Sequence, residues 1–391
     1  MYNVVTRNKI ADCGLKELPT EHFNISDDNQ DPDGILLRSY VMSEDELQPN
    51  LKAIGRAGAG VNNIPVEACA EKGIVVFNTP GANANGVKEM VLASLFLASR
   101  DIVGGIAWAQ SLKGETGVAK TVEKGKSEFV GPEIAGKRIG VIGLGAIGVL
   151  VANACRHLGM AVVGYDPFIS VDAAWGLSRG VYKAASLDAL LAECDYISIH
   201  VPVNKDTKGM FNKELFAKCK KGMRIINTAR AELVDDESLL AAIEDDTIFC
   251  YVTDFPTEKM LGHKRIIPIP HLGASTPESE DNCATMASAQ LRDYLLHGNI
   301  KNSVNFPDCE IPYTGKKRVC VIHKNVAKVI SSITTAFANN HVNISNMINK
   351  SRGDYAYTML DVDCDDPDGV EHDLCKLDNI IKVRVLHECD N

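Results

Sequence analysis

An α/β protein is predicted, centred on a doubly wound, mostly parallel sheet. Three observations predict it. The middle of the chain alternates β-branched runs with helical patterns, and the first 80 or so residues repeat that alternation on a smaller scale. About 75 residues at the end read strand, helix, strand, strand, helix, strand, an order of ferredoxin-like type. At 391 residues the chain has room for two or three domains, each able to bury its own core.

In chain order, Tyr2–Thr6, Gly34–Arg38, Ala53–Arg56 and Val75–Phe77 read as strands, each followed by a polar or glycine-containing turn. Gly86–Ser99 then carries Val87, Met90, Val91, Leu95 and Phe96 at helical spacing and bridges to the second domain. The central strands are Lys137–Ile142, Ala161–Tyr165, Tyr196–Val201, Met223–Thr228, Ile248–Val252 and Ile266–Ile269, with helices such as Ala146–His157 and Asp236–Ile243 between them. Pro277–His297 is a second long helix that returns the chain to the first domain. Asn305–Gly315 holds two prolines and a terminal glycine and reads as a linker. Beyond it come strand Arg318–His323, helix Ala327–Asn339, strands Ile344–Lys350 and Tyr355–Val362, helix Val370–Leu377 and strand Ile380–Leu386. Val326, Val329, Ile330, Ile333 and Phe337 form an apolar stripe, so that helix packs on a sheet. The expected organisation is a first domain over 1–92 completed by 283–304, a nucleotide domain over 93–282, a linker over 305–316 and a C-terminal module over 317–391.

Composition narrows the function classes. A net charge of -10 and a pI near 5.5 argue against nonspecific nucleic-acid binding, which needs basic surface to displace counterions. No apolar run reaches the roughly 18 residues of a membrane span, and the first residues lack a secretory layout. The twelve cysteines are never closer than 11 apart, so no C-x-x-C metal or redox motif exists and no metal site is expected. Buried reduced thiols in a cytoplasmic compartment are the expectation.

The sharpest local signal is Gly143-x-Gly145-x-x-Gly148, which follows an apolar strand and opens a helix. The first glycine serves a tight turn, the second lets backbone approach a pyrophosphate, and the third lets helix and strand pack. Ala146 and Ile147 start the helix, whose N-terminus favours phosphate. A second strand ends at Asp166, 18 residues past Gly148. A carboxylate there accepts from ribose hydroxyls and repels a 2′-phosphate, so a Rossmann-type domain binding NAD is predicted.

Three further segments carry chemistry: Asn227-Thr-Ala-Arg230, Asp254-Phe-Pro-Thr-Glu258 and Pro270-His271-Leu-Gly-Ala-Ser275. Each follows the end of a predicted strand, the edge where doubly wound sheets bind ligands. Oxidising a secondary alcohol by hydride transfer needs a group to take the hydroxyl proton, which suits the imidazole of His271. Glu258 would orient that ring and favour its charged form. Arg230 offers a rigid fork to a carboxylate and to the carbonyl oxygen as it forms.

These segments, with Leu37-Arg38-Ser39, Gly55–Asn63 and Asn78-Thr-Pro-Gly81, resemble the D-2-hydroxyacid dehydrogenases, most of all the branch acting on 3-phosphoglycerate. The end segment Arg318–Asn325 is similar to an ACT domain. The resemblance implies a flavodoxin-like substrate domain ahead of the nucleotide domain and oxidation of D-3-phosphoglycerate in serine biosynthesis. It also implies a homodimer or homotetramer. His200, Val201, Pro202 and Thr207 would lie near the adenosine half and pyrophosphate. Thr228, Ala229 and Asp254 would lie near the nicotinamide, Asp254 accepting from its carboxamide, and Gly273 and Ala274 would also contact the cofactor.

Arg38 and Arg56 follow strands of the first domain and suit a phosphate-bearing anion, while the resemblance implies that Gly58–Val61, with Ala59 and Gly60 at its centre, presents backbone N–H groups to the substrate carboxylate. In the ACT-like module His323, Asn325 and Asn343 match positions that bind a serine effector, but Ala327-Lys328 stands where such helices begin Pro-Gly. Two other readings compete: a sister hydroxypyruvate or glyoxylate reductase, and an NAD-sensing, corepressor-like binding protein.

Overall fold

Sixteen strands in three sheets make up the computed structural model, which describes residues 1–363 and 367–386. The first sheet holds β1 (Tyr2–Arg7), β2 (Phe23–Ser26), β3 (Gly34–Leu37), β4 (Ala53–Arg56) and β5 (Val75–Phe77). Their order is β2-β1-β3-β4-β5 and every pairing is parallel, the flavodoxin-like arrangement. The second sheet holds β6 (Arg138–Ile142), β7 (Ala161–Tyr165), β8 (Val181–Lys183), β9 (Tyr196–Ile199), β10 (Met223–Asn227), β11 (Ile248–Thr253) and β12 (Ile266–Pro268). It runs β12-β11-β10-β9-β6-β7-β8, wound in two directions from β6 as in a Rossmann-type sheet. The third holds β13 (Lys317–Lys324), β14 (Ile344–Arg352), β15 (Tyr355–Val362) and β16 (Ile380–Leu386), antiparallel in the order β14-β15-β13-β16.

Two strands go beyond the sequence reading. Phe23–Ser26 has only four residues, and Val181–Lys183 only three with Tyr182 and Lys183 exposed, so neither carries a long apolar run. Both are edge strands, where one neighbour suffices and the hydrophobic demand is low.

The chain divides into two units, Met1–Asn83 with Glu280–Asn391, and Ala84–Ser279. In the second unit, helix Ala84–Ser99 packs against helix Ala146–His157. Val91, Leu95 and Ala98 join Val141, Val151, Ala152 and Val162 in one core on that face of the sheet. Ile197, Ile225, Leu239 and Tyr251 fill the other face, so strands such as Tyr196–Ile199 are buried throughout.

In the first unit the C-terminal module is not free-standing. Its sheet turns Val319, Val321, Leu360 and Val362 toward its own helices. The alternate residues Cys320, Ile322, Tyr357, Met359 and Leu386 lie in one core with Val4, Phe77, Leu291 and Tyr294. Within 305–316, expected as a linker, Asn305, Phe306, Cys309 and Ile311 are buried and only the stretch from Thr314 to Lys316 is exposed throughout. The apolar side chains of that segment decide this, since Phe306 and Ile311 have a core to enter. The ten described cysteines are free thiols, while Cys364 and Cys389 lie outside the described residues.

Candidate active site

The parallel sheet of the second unit brings its chemistry to one edge. The glycine loop follows β6, Asp166 follows β7, His200 follows β9, Thr228 to Arg230 follow β10, Asp254 and Phe255 follow β11, and His271 follows β12. At about 4.8 Å per strand, Asp166 and Asp254 stand roughly 19 Å apart along this edge, a span suited to an extended ligand.

Gly143 holds φ +89°, and a Cβ there would lie 2.6 Å from the His200 carbonyl oxygen. A Cβ at Gly148 would run into the Gly143 carbonyl, so loop and helix touch there. At Gly145, the N-cap of helix Ala146–His157, a Cβ would meet nothing within 4 Å. That open approach fits a pyrophosphate laid on the helix N-terminus. Asp166 accepts from Leu144 N and Phe168 N, both at 2.8 Å, which ties β7 to the glycine loop and leaves carboxylate lone pairs for ribose hydroxyls. Among the described residues the buried Thr228 hydroxyl has no hydrogen-bond partner, which leaves a donor on this edge. These features fit a dinucleotide.

His200 packs its Nε2 2.8 Å from Ser198 Oγ, and burial pushes its imidazole down to about 4, so it is neutral at pH 7. Val201 and Pro202 lead into the turn where Thr207 Oγ1 donates to Pro202 O at 2.6 Å. Ala229 N and Arg230 N donate to Asn227 Oδ1, which shapes the turn that presents Arg230.

His271 holds φ +52°, a left-handed conformation rare outside glycine. Buried Asp254 holds the loop beyond it, accepting from Leu272 N at 2.7 Å and Gly273 N at 2.8 Å. In this structure that carboxylate therefore anchors the histidine loop. Gly273 suits this contact, because a Cβ there would stand 2.8 Å from Asp254 Oδ2. Ala274 continues the same turn, closed by Ser275 N on Leu272 O.

Arg230 and His271 each lie against the ring of Phe255. The Arg230 guanidinium lies 5.3 Å from the centre of the Phe255 ring, and the His271 ring centre lies 4.5 Å from it. Glu258, expected beside His271, is exposed and makes no hydrogen bond or ion pair among the described residues. Its turn is pinned by its neighbours instead: Thr257 Oγ1 donates to Asp236 Oδ2 at 2.6 Å, and Met260 is buried. Phe255 was missed because aromatic residues at strand ends usually read as core. Its place directly after Asp254 was the available signal.

In the first unit, Leu37 and Arg56 are register partners, so Arg38 and Arg56 stand at neighbouring C-terminal strand ends. Arg38 pairs with Glu280 at 2.8 Å, a partner the sequence reading did not foresee. Gly58 leaves room for the Arg56 guanidinium, which a Cβ would strike. The Ala59 carbonyl accepts from Asn78 Nδ2 at 2.7 Å and the Gly58 carbonyl from Thr79 N, which fixes the turn bearing Ala59 and Gly60.

In the C-terminal module, His323 is buried, its ring nitrogens 2.8 Å from Lys324 O and 2.9 Å from Thr358 Oγ1. Exposed Asn325 donates to Gly353 O and Asn343 to Asp363 Oδ2. Lys328 keeps a left-handed φ of +74°, the backbone shape that a glycine would adopt without cost.

Residues 93–273 match the model of the D-isomer specific 2-hydroxyacid dehydrogenase, NAD binding domain. Human D-3-phosphoglycerate dehydrogenase is 32% identical over 313 residues, covering 76% of this chain and 56% of that protein. The Synechocystis enzyme of the same name is 37% identical over 284 residues, covering 70% of this chain and 49% of its own length. The chain belongs to the D-isomer-specific 2-hydroxyacid dehydrogenase family. It spans only about half the length of these curated relatives. Among solved structures, the NAD+-bound 3-phosphoglycerate dehydrogenase of Entamoeba histolytica is similar, with a TM-score of 0.60 and 28% identity over 78% of this chain and 98% of that one. The family's NAD-binding domain thus coincides with the glycine loop and the strand edge described above.

Proposed function

We propose that the protein catalyses NAD-dependent oxidation of D-3-phosphoglycerate to 3-phosphohydroxypyruvate, the entry to serine synthesis. The observation that carries this reading is the meeting of Arg230 and His271 on one aromatic ring, on the sheet edge that also bears the glycine loop. Bound NAD supplies a hydride acceptor. His271 takes the hydroxyl proton at an imidazole nitrogen as the carbonyl forms, and returns it in the reverse direction. Arg230 holds the carboxylate and stabilises charge on the developing carbonyl oxygen. Arg38 and Arg56 are assigned to the phosphate, the feature that separates this substrate from glyoxylate or hydroxypyruvate. We further assign the protein to the cytoplasm as a homo-oligomer, with serine as the effector class of the C-terminal module.

The test is NADH formation with 3-phosphoglycerate, repeated with serine present. His271→Asn should lower kcat by about 100-fold or more. Replacing Arg38 and Arg56 by Ala should cost about 30-fold or more in kcat/KM for the phosphorylated substrate, and far less for glycerate. Equal losses on both substrates would remove the phosphate assignment. Tight NAD binding without turnover would favour a sensor.

A further inference from the structure

We propose that Glu280 is a specificity-determining residue whose carboxylate competes with the substrate phosphate for the Arg38 guanidinium. The inference rests on the assignment of Arg38 to the phosphate and adds an opposing group to it. Packing explains how an acid so distant along the chain reaches this arginine. A Cβ on Gly34, at the start of β3, would stand 3.2 Å from the Leu291 side chain. One on Gly55, near the end of β4, would stand 3.3 Å from the Ala287 carbonyl oxygen. Helix Pro277–His297 therefore runs opposite to these strands and brings its beginning to their C-terminal ends. Glu280 lies near that beginning, and its Oε1 is 2.8 Å from Arg38 Nη2, just past β3. Because Leu37 and Arg56 are register partners, the second arginine stands at the neighbouring strand end.

The charge balance gives this pair its meaning. A phosphate monoester carries about two negative charges near pH 7, and two guanidiniums match it. With Glu280 on Arg38, the three side chains together offer one positive charge in place of two. The Arg38 and Glu280 side chains are 41% and 46% exposed, and ion pairs this open are weak, so a phosphate can displace the carboxylate. The displaced carboxylate then stands close to the phosphate and repels it. Glu280 thus moderates the hold on the phosphate end of the ligand and leaves an unphosphorylated 2-hydroxy acid largely untouched. The oxidised product keeps the same phosphate, so a moderated hold also favours its release.

Steady-state rates with D-3-phosphoglycerate and with D-glycerate, in wild type and in Glu280→Gln, test this. Glutamine keeps an oxygen acceptor for Arg38 and removes the charge. KM for D-3-phosphoglycerate should fall about five- to tenfold with kcat no higher, and KM for D-glycerate should change by less than about twofold. Inorganic phosphate should inhibit Glu280→Gln more strongly by a similar factor, and Glu280→Asp, which keeps the charge, should stay near wild type. A KM for D-3-phosphoglycerate that is unchanged or raised in Glu280→Gln, or lowered equally for both substrates, overturns the proposal. Arg38→Ala alone reads the underlying assignment: a loss confined to the phosphorylated substrate upholds it whatever Glu280→Gln does. If the wild-type chain turns over no 2-hydroxy acid, the dehydrogenase reading fails, and calorimetry with inorganic phosphate decides the role of Glu280. Tighter binding to Glu280→Gln than to wild type upholds it, and equal or undetectable binding overturns it.

Discussion

His271 and His200 sit on the same sheet edge and face opposite demands. His271 is exposed, in a left-handed backbone that costs of order 1–2 kcal/mol and that Asp254 holds through the next two N–H groups. His200 is packed beneath the glycine loop, where burial pushes its imidazole down to about 4. Its folded value lies below the unfolded value of about 6.5, so the unfolded chain takes up the proton first as pH falls. The contribution is fully present above about pH 6.5 and is lost as pH falls toward 4, by up to roughly 3 kcal/mol. Urea denaturation across that window should show a steeper loss of stability for wild type than for His200→Gln; parallel curves would refute it. The sequence motif singled out His271 and Arg230 correctly as residues of one edge. It could not show that both groups lie against the Phe255 ring, because that depends on side chains from three separate strand ends.

The strand-to-helix turn at 143–148 carries two glycines with different jobs, and the structure separates them. Gly148 lies against the Gly143 carbonyl, so Gly148→Ala must push the helix off its strand. We expect a loss of about 2 kcal/mol or more in stability, read by chemical denaturation. Gly145 has φ -76° and open space where a Cβ would go, so Gly145→Ala should fold with unchanged stability. Its added methyl group stands where the pyrophosphate would lie, and NAD affinity measured by calorimetry should fall by about tenfold or more. Unchanged affinity would show that the ligand does not approach there. Long periodic elements were readable at this scale: helix Pro277–His297 and strands Tyr355–Val362 and Ile380–Leu386 have the bounds that their patterns predict. The short edge strands Phe23–Ser26 and Val181–Lys183 were not, since partly exposed strands this short carry little hydrophobic pattern.

Across the first unit, the module that reads as separate is joined to its neighbours by buried cations. Arg318 is fully buried, pairs with Asp361 at 2.6 Å, and donates to the carbonyls of His297, Ile311 and Pro312. Arg384 donates to the carbonyls of Tyr294 and Leu295 near the end of the long helix, where cations complement the helix dipole. Asp361→Asn should therefore cost about 3–5 kcal/mol by leaving a charge buried without its counterion. Arg318→Met with Asp361→Leu should recover only part of that, because the three carbonyls lose their donor. Full recovery in a double-mutant cycle would show that those carbonyl bonds contribute nothing.

By itself the sequence determined the three sheets, the NAD-binding turn and the family, because these depend on local periodicity and on glycines and charges at fixed spacing. Only the tertiary structure decided that Phe255 carries the imidazole contact, that Asp254 anchors the histidine loop, and that strands Lys317–Lys324 and Tyr355–Val362 of the C-terminal sheet are buried on both faces. Those outcomes depend on which side chains meet across elements far apart in the chain, and no spacing along a sequence encodes that distance.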